Sequence, residues 1–270
     1  MGTPLNLQQY IRGKPSNLYK LAFELRYRYG YSYLDRCGKT INAILREFPE
    51  WVLKGEQANP QGTALINIAN QCSFNFSSLN MDFSIEQPAT AELTRQEVEQ
   101  FTSQVELLTA IVIDQLGLKE FTRIGVRAWY LFPSPSKEDS ESWLQSLGIM
   151  TISESVTTAF EGQVEAVGIS VVLTGTDRTY RIGLNGVEKS AMLDLGSQLM
   201  VLRTSTLPRE RDRQPRGQSR RLYSPPSFGV MLDIDSYQED PVSIEPRDFV
   251  ETSLSWGLAR FQAAVSPPGC

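Results

Sequence analysis

From Leu18 to Tyr29 the chain alternates: Tyr19, Leu21, Phe23, Leu25, Tyr27 and Tyr29 share one parity, Lys20, Ala22, Glu24, Arg26 and Arg28 the other. A period of two is the repeat of a pleated strand, so this stretch predicts a strand with one buried and one solvated face. The period then lengthens. Between Leu34 and Trp51, the positions Ile41, Ile44, Leu45 and Phe48 follow three- and four-residue steps, and Pro49 marks the stop of an amphipathic helix. Ala64 to Asn70 and Cys72 to Glu86 read as strands again, the second carrying Leu79, Met81, Phe83 and Ile85 on one face. They predict a hairpin, joined around Asn70 and Gln71 or bulged near Ser77 and Ser78.

Thr94-Arg95-Gln96-Glu97 has the form of a capping box, in which hydroxyl and carboxylate satisfy the unpaired donors of a first helical turn. A long helix is expected from there, with Val98, Phe101, Val105, Leu108, Val112 and Leu116 as its apolar stripe and Gly117 as its stop. Ile124, Val126, Ala128, Tyr130 and Phe132 then alternate with Arg123, Gly125, Arg127, Trp129 and Leu131 until Pro133 closes a strand. The resulting order, β-α-β-β-α-β over residues 1–133, is that of a ferredoxin-like half.

Residues 134–270 predict a second half. Ser136 can cap a short helix running through Leu147 to Gly148, after a Pro-bearing joint at Ser134 to Ser136. Met150 to Thr158, Val164 to Leu173, Thr179 to Leu184, Gln198 to Thr204 and Phe228 to Tyr237 read as strands, with turn chemistry at Gly175-Thr176-Asp177 and Asn185-Gly186. Pro246 suits the first turn of a last helix, whose stripe is Phe249 or Val250, Leu254, Leu258, Phe261 and Val265. The fold class expected is therefore α+β: a ferredoxin-like half, then a mainly antiparallel sheet closed by a C-terminal helix.

Composition narrows the chemistry. At 41% apolar and 21% charged residues over 270, the chain is an ordinary globular sequence able to bury a core. Its longest apolar run, Leu107 to Ile113, is broken by Thr109 and followed by Asp114, so no membrane helix is expected, and Met1 to Lys20 lacks the apolar stretch of a signal peptide. Cys37, Cys72 and Cys270 are odd in number and form no C-x-x-C pair, which fits reduced thiols in the cytoplasm. Cys270 lies outside any prenylation motif and is expected to be an exposed thiol.

Histidine is absent. That removes Ser-His-Asp and Cys-His hydrolysis, His-bearing zinc sites and histidine-dependent RNA cleavage from this chain. No phosphate-cradling, dinucleotide-binding or nucleophile-elbow glycine motif occurs either, so no cofactor is expected.

Three features remain as candidate sites. The segment 204–226 breaks every periodicity and holds Arg209, Arg211, Arg213, Arg216, Arg220 and Arg221 against Glu210 and Asp212, in a chain of net charge −5. A long basic loop of this kind suits an anionic partner, nucleic acid or an acidic protein face, or is a plain insertion. Asp233 and Asp235 lie two apart on a strand, so their carboxylates share a side and would offer two oxygens to Mg²⁺ or Ca²⁺, with Glu239 and Asp240 as further ligands. Arg123-Ile124-Gly125-Val126-Arg127 places two arginines and a glycine on one strand face, either for close approach of a ligand or for salt bridges to the other half. Tyr27 and Tyr29 beside Arg26 and Arg28 would also suit base stacking, although alternation alone explains them.

The strand at Phe23 to Arg26, Arg-Ile-Gly-Val-Arg at 123–127, Leu232-Asp233-Ile234-Asp235 and the helix leading to Phe261 together resemble a sporadically distributed family of uncharacterised bacterial proteins of about this length. Where that family more often has Arg-Tyr-Ile-Asn, this chain has Arg127-Ala128-Trp129-Tyr130. The resemblance implies a bacterial cytosolic protein and supplies no catalytic residue. The element order is also similar to RNA-binding proteins of bacterial CRISPR systems, a likeness of fold alone. The expected function is a non-catalytic binding or assembly protein with a protein partner. The alternatives are a nucleic-acid-binding protein and a divalent-metal-dependent phosphodiesterase using Asp233 and Asp235.

Overall fold

A computed structural model describes residues 10–55, 61–87, 92–149, 154–159, 168–188 and 228–266. The chain begins with a small hairpin, β1 (Tyr10–Ile11) and β2 (Lys14–Pro15), whose turn holds Arg12 and Gly13 at positive φ. The alternating stretch forms β3 (Asn17–Tyr27), followed by a short 3₁₀ turn at Gly30–Ser32 and α1 (Tyr33–Glu47). Next come β4 (Val52–Leu53), β5 (Thr63–Asn67), β6 (Cys72–Phe76) and β7 (Asn80–Glu86). The long strand expected over 72–86 is thus two strands. Ser77 Oγ accepts from the amides of Leu79 and Asn80, which builds a tight turn and puts Leu79 at its tip, 61% exposed, off the buried face assigned to it.

The capping box forms as expected. Thr94 Oγ1 accepts from Glu97 N at 3.3 Å and Glu97 Oε2 accepts from Thr94 N at 2.7 Å, opening α2 (Arg95–Leu116), which ends on Gly117 at φ 67°. β8 (Phe121–Ser134) carries its pairing through Pro133, and Ser136 caps α3 (Lys137–Ser146). Met150 to Thr158 is not a strand where described: Glu154–Ala159 is a short helix, α4. Val156, Thr157 and Thr158 favour strands only against a half-buried pleated neighbour, and this segment pairs with none of the described strands. β9 (Gly168–Thr174), β10 (Thr179–Glu188) and β11 (Phe228–Glu239) follow, then α5 (Pro246–Val265) with proline in its first turn. The strand expected at Gln198 to Thr204 lies outside the described residues.

All the longer strands join one nine-stranded antiparallel sheet in the order β4-β5-β6-β7-β3-β8-β11-β10-β9. The joint expected at 134–136 does not interrupt it, because β11 pairs with β8 continuously from Phe228–Ser134 to Glu239–Arg123. Among the described residues the sheet is open, with β4 and β9 as its edges. Four helices pack on one of its faces. Phe101 of α2 stacks on Phe83, with ring centroids 4.8 Å apart, and Tyr33 of α1 meets Phe76 edge-on. Trp143 of α3 packs on Phe132, and Gly257 lets α5 approach Ile234. One contiguous core results, running from Trp51 and Phe74 to Leu184 and Val265. Among the described residues, no helix is long and apolar enough to cross a membrane.

Candidate functional site

Because Ile124, Val126, Ala128, Tyr130 and Phe132 are drawn into the helix-covered core, their neighbours on β8 must point the other way. Arg123, Gly125, Arg127 and Trp129 therefore lie on the opposite face, which is helix-free among the described residues. The same alternation on β11 buries Val230, Leu232 and Ile234 and turns Asp233, Asp235 and Tyr237 onto that face. Antiparallel register then sets Arg127 opposite Asp235, Gly125 opposite Tyr237 and Trp129 opposite Asp233.

The ion pairs run diagonally across this register. Arg127 lies over the Trp129 ring, 4.6 Å from its centroid, and grips Asp233 with both arms of its fork: Nε donates to Oδ1 at 2.8 Å and Nη2 donates to Oδ2. Arg123 lies over Tyr237 at 4.2 Å, and its Nη2 donates to Asp235 Oδ2 at 3.0 Å and Oδ1 at 3.3 Å. Gly125 makes the second path available. A Cβ there would stand 3.3 Å from Tyr237 Cβ and 3.5 Å from Arg123 Nε, inside the slot the guanidinium occupies.

The network continues onto β3. Glu24 Oε2 is 3.7 Å from Arg123 Nε, too long for a hydrogen bond, and that buried nitrogen has no hydrogen-bond partner. Glu24 Oε1 accepts from Arg26 Nε at 2.9 Å. Lys20 donates to Glu86 at 2.7 Å and also stands over the Trp129 ring at 5.0 Å. Beyond Glu24 in the register lies Asp82, which accepts from Asn75 Nδ2 at 2.5 Å. Tyr19 is the extra residue of a bulge in β3, between Leu18 and Lys20, and its hydroxyl donates to Met231 Sδ at 3.0 Å.

Burial controls the electrostatics. It pushes the Asp235 carboxyl above its ordinary range even though Arg123 pulls it down, and it raises Asp82 in the same way. The hydrogen bond to Asp233 raises Arg127 further above its usual value. Burial also raises the Tyr19 phenol, helped by Glu86 and Asp233. The face is a lattice of paired charges and aromatic rings.

Arg123, Arg127, Asp233 and Asp235 form one cluster, and the bridging role weighed for the two arginines is the one they take. The carboxylates of Asp233 and Asp235 are engaged by guanidinium groups, and among the described residues no three metal-ligating side chains gather. Arg209, Arg211, Arg213, Arg216, Arg220 and Arg221, with Cys270, lie outside the described residues. Lys20, Glu24, Trp129 and Tyr237 complete the cluster. Their shared parity with solvated neighbours was the available signal, but which strands adjoin is set by the sheet order. Elsewhere, an open groove of about 360 Å³ lies beside β5 and β6, lined by Lys54, Thr63, Asn75 and Asn80 among others. No protein-family model matches the chain, and no curated protein matches it.

Proposed function

We propose that this chain is a non-catalytic binding or assembly protein of the bacterial cytoplasm. It engages another macromolecule through the helix-free face of its sheet and the arginine-rich segment at 204–226. The observation that carries the reading is the face itself: arginine, aromatic and carboxylate side chains held in fixed orientation and left uncovered by α1, α2, α3 and α5. Preorganised aromatic and arginine side chains are the groups most enriched at the energetic centres of protein interfaces. The partner is a protein rather than nucleic acid, because guanidinium groups already lie over the rings of Trp129 and Tyr237. Carboxylates at Glu24, Asp233 and Asp235 offset the cations that phosphates would need. The first half is a ferredoxin-like arrangement enlarged at one edge: β7 and β8 run parallel on either side of β3, with α2 between them in sequence.

Tagged protein purified with and without nuclease treatment tests this. One variant replaces Arg209, Arg211, Arg213, Arg216, Arg220 and Arg221 by Ala, and a second combines Trp129→Ala with Arg26→Glu. A protein partner that survives nuclease and is lost in at least one variant is the expected result. Unchanged recovery in both variants overturns the proposal.

A further inference from the structure

A second charged surface lies at the opposite end of the sheet from β4, where α5 meets β10. Helical spacing places Phe249, Ser253, Trp256 and Arg260 on one stripe of α5, facing Arg178, just before β10, and Tyr180 at its start. Arg178 packs over the Phe249 ring at 4.2 Å and stands 5.6 Å from the Trp256 centroid, while its Nη1 donates to Ser253 Oγ at 2.9 Å. Arg260 stands 4.9 Å from the same indole and 5.2 Å from the Tyr180 ring, and its Nη1 donates to Tyr180 Oη at 2.9 Å. Two guanidinium groups thus share one tryptophan that is 46% exposed.

Among the described residues, every ion pair lies elsewhere, and neither of these arginines belongs to one. Asp177 and Asp248 act on Arg178 through space without reaching ion-pair distance. The two cations repel each other, and burial pushes the Arg178 guanidinium below its usual range. Such an arrangement is costly unless something balances it. Neutral hydroxyls and ring faces satisfy some donors and fix the orientation, but they supply no charge. On the helix-free face, by contrast, Arg123 and Arg127 each have a carboxylate. The difference between these two arginine pairs is what singles out this surface.

We propose that Arg178, Trp256 and Arg260 form an oxyanion site that takes a phosphate group. A phosphate dianion answers two guanidinium charges, whereas a single carboxylate answers one, and planar forks preorganised by stacking lose little freedom on binding it. The exposed indole edge reports occupancy and gives the carrier of the phosphate an apolar surface to lie on. This site is separate from the helix-free face and stands or falls without it.

The test is an indole fluorescence titration of the full chain at constant ionic strength. Pyrophosphate and O-phosphoserine are the probes, with chloride and serine as their controls. Saturable responses to the phosphate compounds and none to the controls are expected, and the tighter of the two probes separates a free oligophosphate from a phosphorylated side chain. Arg260→Gln, at an exposed position, should weaken binding by about tenfold, the usual worth of one charge-assisted contact. Trp256→Phe should remove the signal while phosphate still raises Tm. Arg178→Lys keeps the charge and loses the fork, and should weaken binding. A response no greater than that to chloride, or equal affinity in Arg260→Gln, overturns the site.

Discussion

Arg123 and Arg127 sit on the same strand face and behave as a pair only because different residues stand between each and its aspartate. Arg127 crosses Trp129 to reach Asp233, and Arg123 crosses the gap at Gly125 to reach Asp235. Asp82 is held by an amide instead of a cation, beside Glu24 in the register. Its folded carboxyl is raised above the ordinary value of 3.8, chiefly by burial. The folded state therefore binds the proton more tightly than the unfolded chain. The stability this group contributes is full below the unfolded value and is lost as pH rises through the folded one. Asp82→Asn should accordingly raise the urea midpoint at neutral pH. The gain should vanish at a pH below the carboxylate range, where the wild type is already neutral at this position. A gain of the same size at both pH values would show that charge is not its source.

At the scale of elements, the close approach of the 3₁₀ turn to the β6–β7 turn decides how α1 enters the helix layer. A Cβ on Gly30 would stand 2.4 Å from Ser78 O, a backbone atom of the tight β6–β7 turn, and 2.7 Å from Cε2 of the buried Tyr27. Gly30→Ala should therefore cost about 1–3 kcal/mol, as overpacking does, through backbone shifts at both turns. Thr94→Ala, which removes a cap at an exposed helix end, should cost about 1 kcal/mol. Urea unfolding of the two variants side by side checks both figures; a near-neutral Gly30→Ala would mean that the turn yields.

Across the whole molecule, the sheet and the helix layer tie the early and late parts of the chain together. β8 has β3 on one side and β11 on the other, and α5 packs against α2 as well as against the strands. Arg12 Nε donates to Val265 O at 2.9 Å, joining the first hairpin to the last helix. The described residues should thus unfold in one transition, with far-ultraviolet circular dichroism and tryptophan fluorescence coincident in urea. Two separated midpoints would show that residues 1–133 and 134–270 fold as independent units. The interior order of elements was legible in the sequence because each long segment carried one clear period, 2.0 for β3 and β8 and 3.6 for α2 and α5. The failures came where the pattern was short or interrupted, at Ser77 to Leu79 and at Glu154 to Thr158.

Sequence by itself determined the strands and helices with strong periodicity, the cap and stop of α2, the absence of histidine chemistry, and the side of β8 and β11 on which Arg123, Arg127, Asp233 and Asp235 stand. Each of these depends on residues within a few positions of one another or on composition. Only the tertiary structure decided that β8 and β11 are neighbours, which arginine holds which aspartate, and that Arg178 and Arg260 share an indole with no ion pair to either among the described residues. Those facts depend on register between segments that are far apart in sequence. No local period encodes which strand lies beside which, because any apolar face of the right length can be buried against the same helices. The choice among pairings comes from fitting all of them into one core at once.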